Sequence, residues 1–389
     1  MAKKILVVDD SALMRSVLCD IINQDQRFQV ADIARNGLEA LDLLTRKTYD
    51  AVVLDVNMPK MGGLELLQEL RRYKIPAKVL MASTDTKEGA KTTLDALDLG
   101  AIDFIHKPTV AVQCRTDHFR KELTTLLDVI SNSRPPSAEF RERFLRTKEF
   151  TDKIADIMKP GGGLSGGSVM GSSRGWAPVG GSAAGQPGSL PVGKRLVAIA
   201  SSTGGPRALQ AVVPRLPAEL NAPVLVVQHM PKGFTTSLAE RLNAISPIAV
   251  KEAAEGDELR NGVVYLAMGG KHMQVGTSAA GRYTIRYSDE PYREGVKPCA
   301  NYMYESLAKS RFDEILCVVM TGMGMDGTVG IRNLEVSKKV HVIAQNQETC
   351  IVYGMPKSIV ESGLSDQVVP LEQIAQEIIS YVGVTQNGS

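Results

Sequence analysis

The sequence predicts an α/β protein with two parallel sheets: a (βα)5 domain with a five-stranded parallel sheet, a linker, and a doubly wound, mostly parallel α/β domain. Three observations predict this arrangement. Short apolar runs alternate with helical patterns five times in the first third of the chain. A stretch rich in Gly, Ser and Pro follows, and the alternation then resumes.

The composition is that of an ordinary globular protein. With 389 residues, 43% apolar and 23% charged, the chain is long enough for two or three domains. A net charge of +2 without long like-charge blocks gives no reason to expect a nucleic-acid partner. Five cysteines without a CxxC pair are typical of reduced cytosolic thiols. The first apolar run is too short for a signal peptide or a membrane span, so we expect a cytoplasmic protein without direct membrane insertion.

The predicted strands of the first domain, residues 1–131, are five short apolar runs. They lie at 5–8, 30–33, 51–54, 79–82 and 102–105.

A linker is predicted over residues 132–194. Apolar residues at helical spacing predict an amphipathic helix over 138–158. Residues 160–193 contain twelve Gly, six Ser and four Pro, which cannot bury enough apolar surface to offset the entropy of ordering. Trp176 stands in this stretch, either as a short partner-binding element or as an accidental exposed residue.

The second domain is predicted over residues 195–385. Its apolar runs include 196–200, 224–227 and 315–320. In a polar interruption from 251 to 295, we expect a hairpin or meander around 263–267 and 283–287.

Polar side chains follow the predicted strands of the first domain at one edge of its sheet. They are Asp9, Asp10, Asp55, Ser83 and Lys107. Three clustered carboxylates repel one another unless a divalent cation lies among them, and Mg²⁺ prefers such oxygen ligands. Asp55 is placed to attack phosphorus, Ser83 to hydrogen-bond the phosphoryl group and Lys107 to neutralise its charge. Any one of these residues taken singly is more often a helix cap or a solvated loop residue.

This first region resembles the receiver domain of bacterial two-component response regulators, from residue 3 to about 125. The resemblance implies that Asp55 is the phosphoacceptor and that Asp9 and Asp10 hold Mg²⁺ with the backbone carbonyl of Asn57. It also implies that Phe104 is the aromatic switch residue.

Three polar residues in the second domain follow apolar runs and could form an acyl-transfer site. A serine hydroxyl needs a base within hydrogen-bond reach, itself oriented by a third group, and Ser202, His229 and Asp326 could fill these roles. The small residues after Ser202 permit a sharp turn into a helix whose free N–H groups face a developing oxyanion. Residue 200 is Ala, so the GxSxG nucleophile elbow is not satisfied.

Each of these residues also has a simpler interpretation. The strand followed by SSTGG could be an anion-binding loop, and His229 could be a structural histidine. Asp326 could cap the helix that follows it.

Four segments of the second domain resemble the catalytic domain of the chemotaxis protein-glutamate methylesterases, the CheB family. They are STGGP at 202–206, QHMP at 228–231 continuing to GFT at 233–235, TGMGMDG at 321–327, and AQ at 344–345 with CIVYGMP at 350–356. The resemblance implies hydrolysis of glutamyl methyl esters on chemoreceptor cytoplasmic helices, often with deamidation of receptor glutamines. It assigns Ser202 as nucleophile, His229 as base and Asp326 as orienting acid, with a backbone N–H of Met323 at the oxyanion site. It further implies a histidine kinase as phosphodonor and a receiver that blocks the cleft until Asp55 is phosphorylated. We therefore expect Mg²⁺ to serve the phosphorylation and the esterase step to need no cofactor.

The chain departs from the usual family pattern at AMGG (267–270), KPCAN (297–301) and Asn346. We expect none of these departures to touch the three catalytic candidates, and we expect them to line the substrate groove. Two other functions stay open: a receiver fused to a nucleotide-binding domain, and a non-catalytic signalling adaptor. A nucleotide-binding domain needs a GxGxxG or GxxxxGK[ST] pattern, and residues 202–206 have neither. An adaptor is expected to lack one of the three catalytic candidates, and none is missing.

Overall fold

A computed structural model of the chain describes residues 2–84, 87–107, 116–133 and 195–385. The predicted helix at 138–158, the Gly-rich stretch at 160–193 and Trp176 lie outside these residues.

The first sheet has five parallel strands, as predicted, in the order β2-β1-β3-β4-β5. The strands are β1 (Lys3–Val8), β2 (Phe28–Ala34), β3 (Ala51–Asp55), β4 (Val79–Thr84) and β5 (Asp103–Lys107). The helices between and after them are α1 (Ala12–Gln24), α2 (Gly37–Arg46), α3 (Gly63–Arg72), α4 (Lys87–Leu99) and α5 (Asp117–Asn132). The central strand β3 is buried along its whole length, which explains its continuous apolar run up to Asp55.

The second sheet has seven strands in the order β14-β13-β12-β6-β7-β9-β8, each parallel to its neighbours. They are β6 (Arg195–Ser201), β7 (Val224–Gln228), β8 (Ala249–Glu252), β9 (Val263–Leu266), β12 (Glu314–Val319), β13 (Lys339–Gln345) and β14 (Gln367–Val369). The helices are α6 (Gly205–Val212), α7 (Phe234–Ile245), α8 (Ala300–Leu307), α9 (Thr328–Glu335), α10 (Met355–Glu361) and α11 (Leu371–Val382), with a 3₁₀ turn at Val213–Arg215. The predicted doubly wound α/β architecture is confirmed.

The polar interruption in the second domain contains the expected hairpin at 283–287, but the expected run at 263–267 is not part of it. Strand β9 joins the large parallel sheet beside β7, where its apolar side chains are buried. A separate antiparallel pair forms between β10 (His272–Thr277) and β11 (Tyr283–Ser288). The run at 272–277 is weakly apolar, so its strand character depends on pairing with β11 rather than on its own pattern.

No helix among the described residues is both long and apolar enough to cross a membrane.

Candidate functional site

The second sheet brings Ser202 and His229 to neighbouring strand ends. Ser201 pairs with Gln228 in the register of β6 and β7, so the residues that follow them, Ser202 and His229, lie side by side. The His229 N–H donates to the Ser201 carbonyl at 3.1 Å. On the other side of β6, the Ser202 N–H donates to the Thr321 carbonyl at 3.0 Å, which ties the serine to the loop after β12. The carboxyl ends of parallel strands share one crevice, and these contacts define it here.

His229 and Asp326 form a direct hydrogen bond across this crevice. The His229 Nε2 lies 2.8 Å from the Asp326 Oδ2, and their side chains are 9% and 2% exposed. The other ring nitrogen, Nδ1, is buried and has no hydrogen-bond partner among the described residues. A buried imidazole beside a carboxylate holds its proton on the nitrogen that faces the carboxylate. Nδ1 is therefore the ring nitrogen left free to accept a proton.

Asp326 accepts every hydrogen bond that it makes. Besides His229, its donors are the Ala300 N–H at 2.6 Å, the Asn301 N–H at 2.9 Å and the Cys299 thiol at 3.0 Å. Burial acts to raise the pKa of Asp326, but His229, Cys299 and the Ala300 N–H outweigh it and lower that pKa below its usual value. Asp326 therefore stays ionised although it is almost completely enclosed.

The expectation that the departures from the family pattern do not touch the catalytic candidates was wrong for Cys299, Ala300 and Asn301. All three hydrogen-bond to the Asp326 carboxylate. The physical reason is that α8 begins at Ala300 and directs its first free N–H groups at that carboxylate. Sequence reasoning missed this because nothing in the local pattern shows where a helix 26 residues earlier points.

Asp326 does not cap the helix that follows it. The N–H groups of Gly327 and Gly330, at the start of α9, donate to the Asn301 side-chain oxygen at 3.1 and 2.6 Å. Asn301 thus caps α9, and Asp326 is left free to accept from His229 and α8.

The backbone after β12 passes close to Ser202. A Cβ added to Gly322 would lie 2.8 Å from the Ser202 Cβ, so only glycine permits this approach. The next residue is Met323, whose N–H donates to nothing among the described residues. Within those residues, no hydrogen bond joins the Ser202 hydroxyl to His229. Such contacts are often long in the absence of substrate and tighten when it binds.

The first sheet gathers the predicted acidic cluster at its carboxyl edge. Carboxylate oxygens of Asp9, Asp10 and Asp55 lie within 4.8 Å of one another. Lys107 reaches into this cluster, with its Nζ 2.6 Å from Asp55 and 3.0 Å from Asp9. Burial raises the pKa of Asp55, an effect that Lys107 only partly offsets. Three carboxylates facing one ammonium group leave an excess of negative charge, which fits the ligand set of Mg²⁺.

The remaining receiver candidates differ in their surroundings. Ser83 is buried at the end of β4, and its hydroxyl lies 3.5 Å from the Gly89 carbonyl. Asn57 is exposed and lies two residues after Asp55, just beyond the end of β3. Phe104 in β5 faces the second domain, where its ring stacks on that of Phe234 with centroids 4.7 Å apart.

Polar contacts also join the two domains. Arg241 in α7 forms ion pairs with Asp95, at 2.7 Å, and with Asp98, both in α4. Gln210 in α6 accepts from Arg241 and donates to Asp98, each at 3.2 Å. The receiver face formed by α4 and β5 therefore packs on α6 and α7 of the second domain.

One receiver carboxyl lies next to the loop that carries Ser202. Burial raises the pKa of Asp103 to about 6, against the lowering effects of Thr203 and the Phe104 N–H. Thr203 directly follows the candidate nucleophile. The resemblance implies that the receiver docks over the cleft, but it names none of these contacts, since the sequence itself carries no signal for which surfaces meet.

Comparisons with known proteins cover both domains. The CheB methylesterase family model matches residues 197–378, and the response regulator receiver domain model matches residues 5–116. A protein-glutamate methylesterase/protein-glutamine glutaminase of Geobacillus kaustophilus is 40% identical over 98% of this chain and 99% of its own length. The Bacillus subtilis protein of the same name is 38% identical over 97% and 98%. The crystal structure of the Thermotoga maritima CheB methylesterase catalytic domain is 40% identical, with a TM-score of 0.47, and covers 49% of this chain and 100% of that one. Identity of this level along nearly the full length of both chains shows that this chain belongs to the family of protein-glutamate methylesterases/protein-glutamine glutaminases, hydrolases that join a receiver domain to a CheB methylesterase domain.

Proposed function

We propose that the chain is a phosphorylation-activated hydrolase of bacterial chemosensory adaptation. It removes methyl esters from glutamyl residues of chemoreceptor cytoplasmic helices and deamidates receptor glutamines by Ser-His-Asp acyl transfer. The observation that carries the proposal is the 2.8 Å bond between His229 and Asp326, which leaves the second imidazole nitrogen free beside the strand end that bears Ser202.

The reaction begins with proton transfer from Ser202 to His229. Because the Nε2 proton is held by Asp326, Nδ1 accepts the Ser202 proton as the hydroxyl oxygen attacks the ester carbonyl. The Asp326 carboxylate stabilises the imidazolium that results. The Met323 N–H donates to the oxyanion of the tetrahedral intermediate.

The intermediate collapses when His229 returns its proton to the leaving group. An ester releases methanol and an amide releases ammonia, and either leaves a glutamyl ester on Ser202. Water then attacks that ester, with His229 again taking and returning the proton, to give glutamate and free serine. This cycle uses only side chains and backbone of the catalytic domain, so we assign the esterase step no cofactor.

The receiver would accept a phosphoryl group from a chemotaxis histidine kinase at Asp55. Asp9, Asp10 and Asp55, with the backbone carbonyl of Asn57, would hold Mg²⁺, which when bound neutralises charge on the transferred group. Lys107 would then pair with a phosphoryl oxygen, and Ser83 would hydrogen-bond another. The histidine kinase and the chemoreceptor cytoplasmic helices both lie in the cytoplasm, so we place the protein there.

Phosphorylation would act through the face that carries Phe104. In the unphosphorylated protein this face contacts Phe234 and lies beside the Ser202 loop, so a docked receiver covers one side of the cleft. New charge at Asp55 that draws Ser83 and Lys107 toward the phosphoryl group would disturb the neighbouring β4 and β5. The population would then shift toward an undocked, active form.

The direct test is methanol release from methylated receptor by the purified protein, with and without Mg²⁺ and a small phosphodonor. We expect activity in the wild type, stimulation by the phosphodonor, and no activity in Ser202→Ala. The exposed Ser337 on the same domain offers a matched serine-to-alanine control that should behave as the wild type. Equal inertness of the wild type and Ser202→Ala would overturn the proposal, and would favour an adaptor or a ligand-binding domain instead.

A further inference from the structure

The side chain of Gln228, the last residue of β7, links the two strand ends that carry Ser202 and His229. It is 2% exposed. Its Nε2 donates to the Ser202 carbonyl at 2.9 Å and to the His229 carbonyl at 3.1 Å, and its Oε1 accepts from the Ser201 hydroxyl at 2.7 Å. Both amide hydrogens are therefore used on the backbone of the two residues between which the proton must pass.

The surrounding backbone holds this amide in one orientation. The Ser202 carbonyl also accepts from the Gly205 N–H at 2.7 Å, at the start of α6. A Cβ added to Gly205 would lie 1.9 Å from the Gln228 Oε1, so the first turn of α6 presses directly on the amide. The two carbonyls can only accept hydrogen bonds, so they fix the amide nitrogen toward themselves, and the Ser201 hydroxyl donates to Oε1 at the other end. Gln228 cannot rotate without breaking buried hydrogen bonds.

We propose that Gln228 is a positioning residue for the acyl-transfer reaction. By holding the Ser202 and His229 carbonyls on one amide nitrogen, it sets the approach of the serine hydroxyl to the imidazole. It touches neither substrate nor reacting atoms. The inference deepens the proposed function, since it concerns the same nucleophile and base.

Two substitutions of similar size separate positioning from simple packing. Gln228→Met keeps the volume but donates to neither carbonyl, and Gln228→Glu places a carboxylate against two carbonyl oxygens. Misplacement of reacting groups by about 1 Å can cost on the order of 100-fold in rate. We therefore expect kcat to fall by about 30- to 100-fold in both variants, with KM for methylated receptor within about twofold of the wild type. Ser201→Ala removes the bond to Oε1 but leaves both Nε2 donations, so it should lower kcat far less than Gln228→Met does.

A second readout keeps the test independent of receptor binding and of stability. The rate at which a fluorophosphonate probe labels Ser202 reports nucleophile activation directly, and it should fall in parallel with kcat. Both assays are run well below the melting temperature of each variant, measured by circular dichroism. Wild-type kcat and labelling in Gln228→Met, or an equal loss in Ser201→Ala, would overturn the positioning role. A wild type that labels normally but releases no methanol would instead contradict the proposed function.

Discussion

Removing the Arg241 side chain tests whether the docked receiver restrains the enzyme. Arg241 is 20% exposed and pairs with two carboxylates of α4. Asp95 is 41% exposed, so that pair contributes at most about 1 kcal/mol. Asp98 is 2% exposed, and breaking a buried pair typically costs about 3–5 kcal/mol. Since Gln210 still donates to Asp98 after Arg241→Ala, we take the lower end, about 3 kcal/mol.

A cost of about 3 kcal/mol shifts the docking equilibrium by roughly 100-fold. Arg241→Ala should therefore raise the activity of the unphosphorylated enzyme by up to roughly 100-fold, or until it equals that of the phosphorylated wild type. Stimulation by a phosphodonor should shrink by the same factor, because the two perturbations act on one equilibrium.

The assay is methanol release without phosphodonor by the wild type, Arg241→Ala and a matched control. Arg282→Ala removes an arginine that pairs with Glu258 on the same domain, at 53% and 32% exposure, and should leave basal activity unchanged. Asp98→Ala alone and combined with Arg241→Ala completes a double-mutant cycle, in which the effects should be strongly non-additive. Basal activity of Arg241→Ala within twofold of the wild type, with normal stimulation by the phosphodonor, would refute restraint through this contact.

Three further predictions concern single carboxyl groups. Asp326→Asn replaces an acceptor of four hydrogen bonds by a group that must direct N–H at donors, so kcat should fall by about 10³- to 10⁴-fold in a folded protein, and more than a tenth of wild-type kcat would contradict an orienting role. Asp55→Asn should incorporate no phosphate from a labelled phosphodonor. Labelling of this variant at the wild-type level would show that another residue accepts the phosphoryl group. Burial raises the pKa of Asp103 from 3.8 to about 6. The share of this burial that the second domain provides makes docking take up a proton, so docking weakens as pH rises through this window. Basal activity relative to Asp103→Asn should therefore rise with pH between about 4 and 6, and a flat ratio would exclude this carboxyl from docking.

The parallel sheets and the strand-end residues could be predicted from the sequence because both depend on local pattern. A buried parallel strand needs a continuous apolar run, and the polar residue after it must lie at the sheet edge. This reasoning predicts Asp55 after β3 and His229 after β7 at those edges, where the structure places them. The pairing of β10 with β11 was missed because a partner strand, not the run at 272–277, makes that segment extended.

The groups that hydrogen-bond to the catalytic candidates have no comparable signal in the sequence. Departures from the family pattern place Cys299 and Asn301 in the substrate groove, whereas both hydrogen-bond to Asp326, because sequence distance hides the direction of α8. Gln228 stands in the QHMP segment beside His229, yet its role depends on a side chain that crosses from β7 to β6. The sequence pattern predicts Arg241 as an ordinary exposed residue of an amphipathic helix, and only the packing of α4 on α7 reveals its ion pairs.

These contacts bring the candidate catalytic residues and the receiver interface together at one edge of the second sheet. In the Ser202 loop, the Ser202 carbonyl accepts from the Gln228 side chain and the Ser202 N–H donates to the Thr321 carbonyl. Thr203 in the same loop hydrogen-bonds to Asp103 of the receiver. A receiver that docks on this loop can alter the nucleophile without filling the cleft. The two routes differ toward a fluorophosphonate small enough to pass a docked receiver: blocked access by the receptor leaves its labelling of Ser202 unchanged, whereas a displaced loop slows that labelling in the docked form. Slow labelling by this small probe without phosphodonor, restored in Arg241→Ala, would identify the displaced loop, and equal rates in both proteins would exclude it.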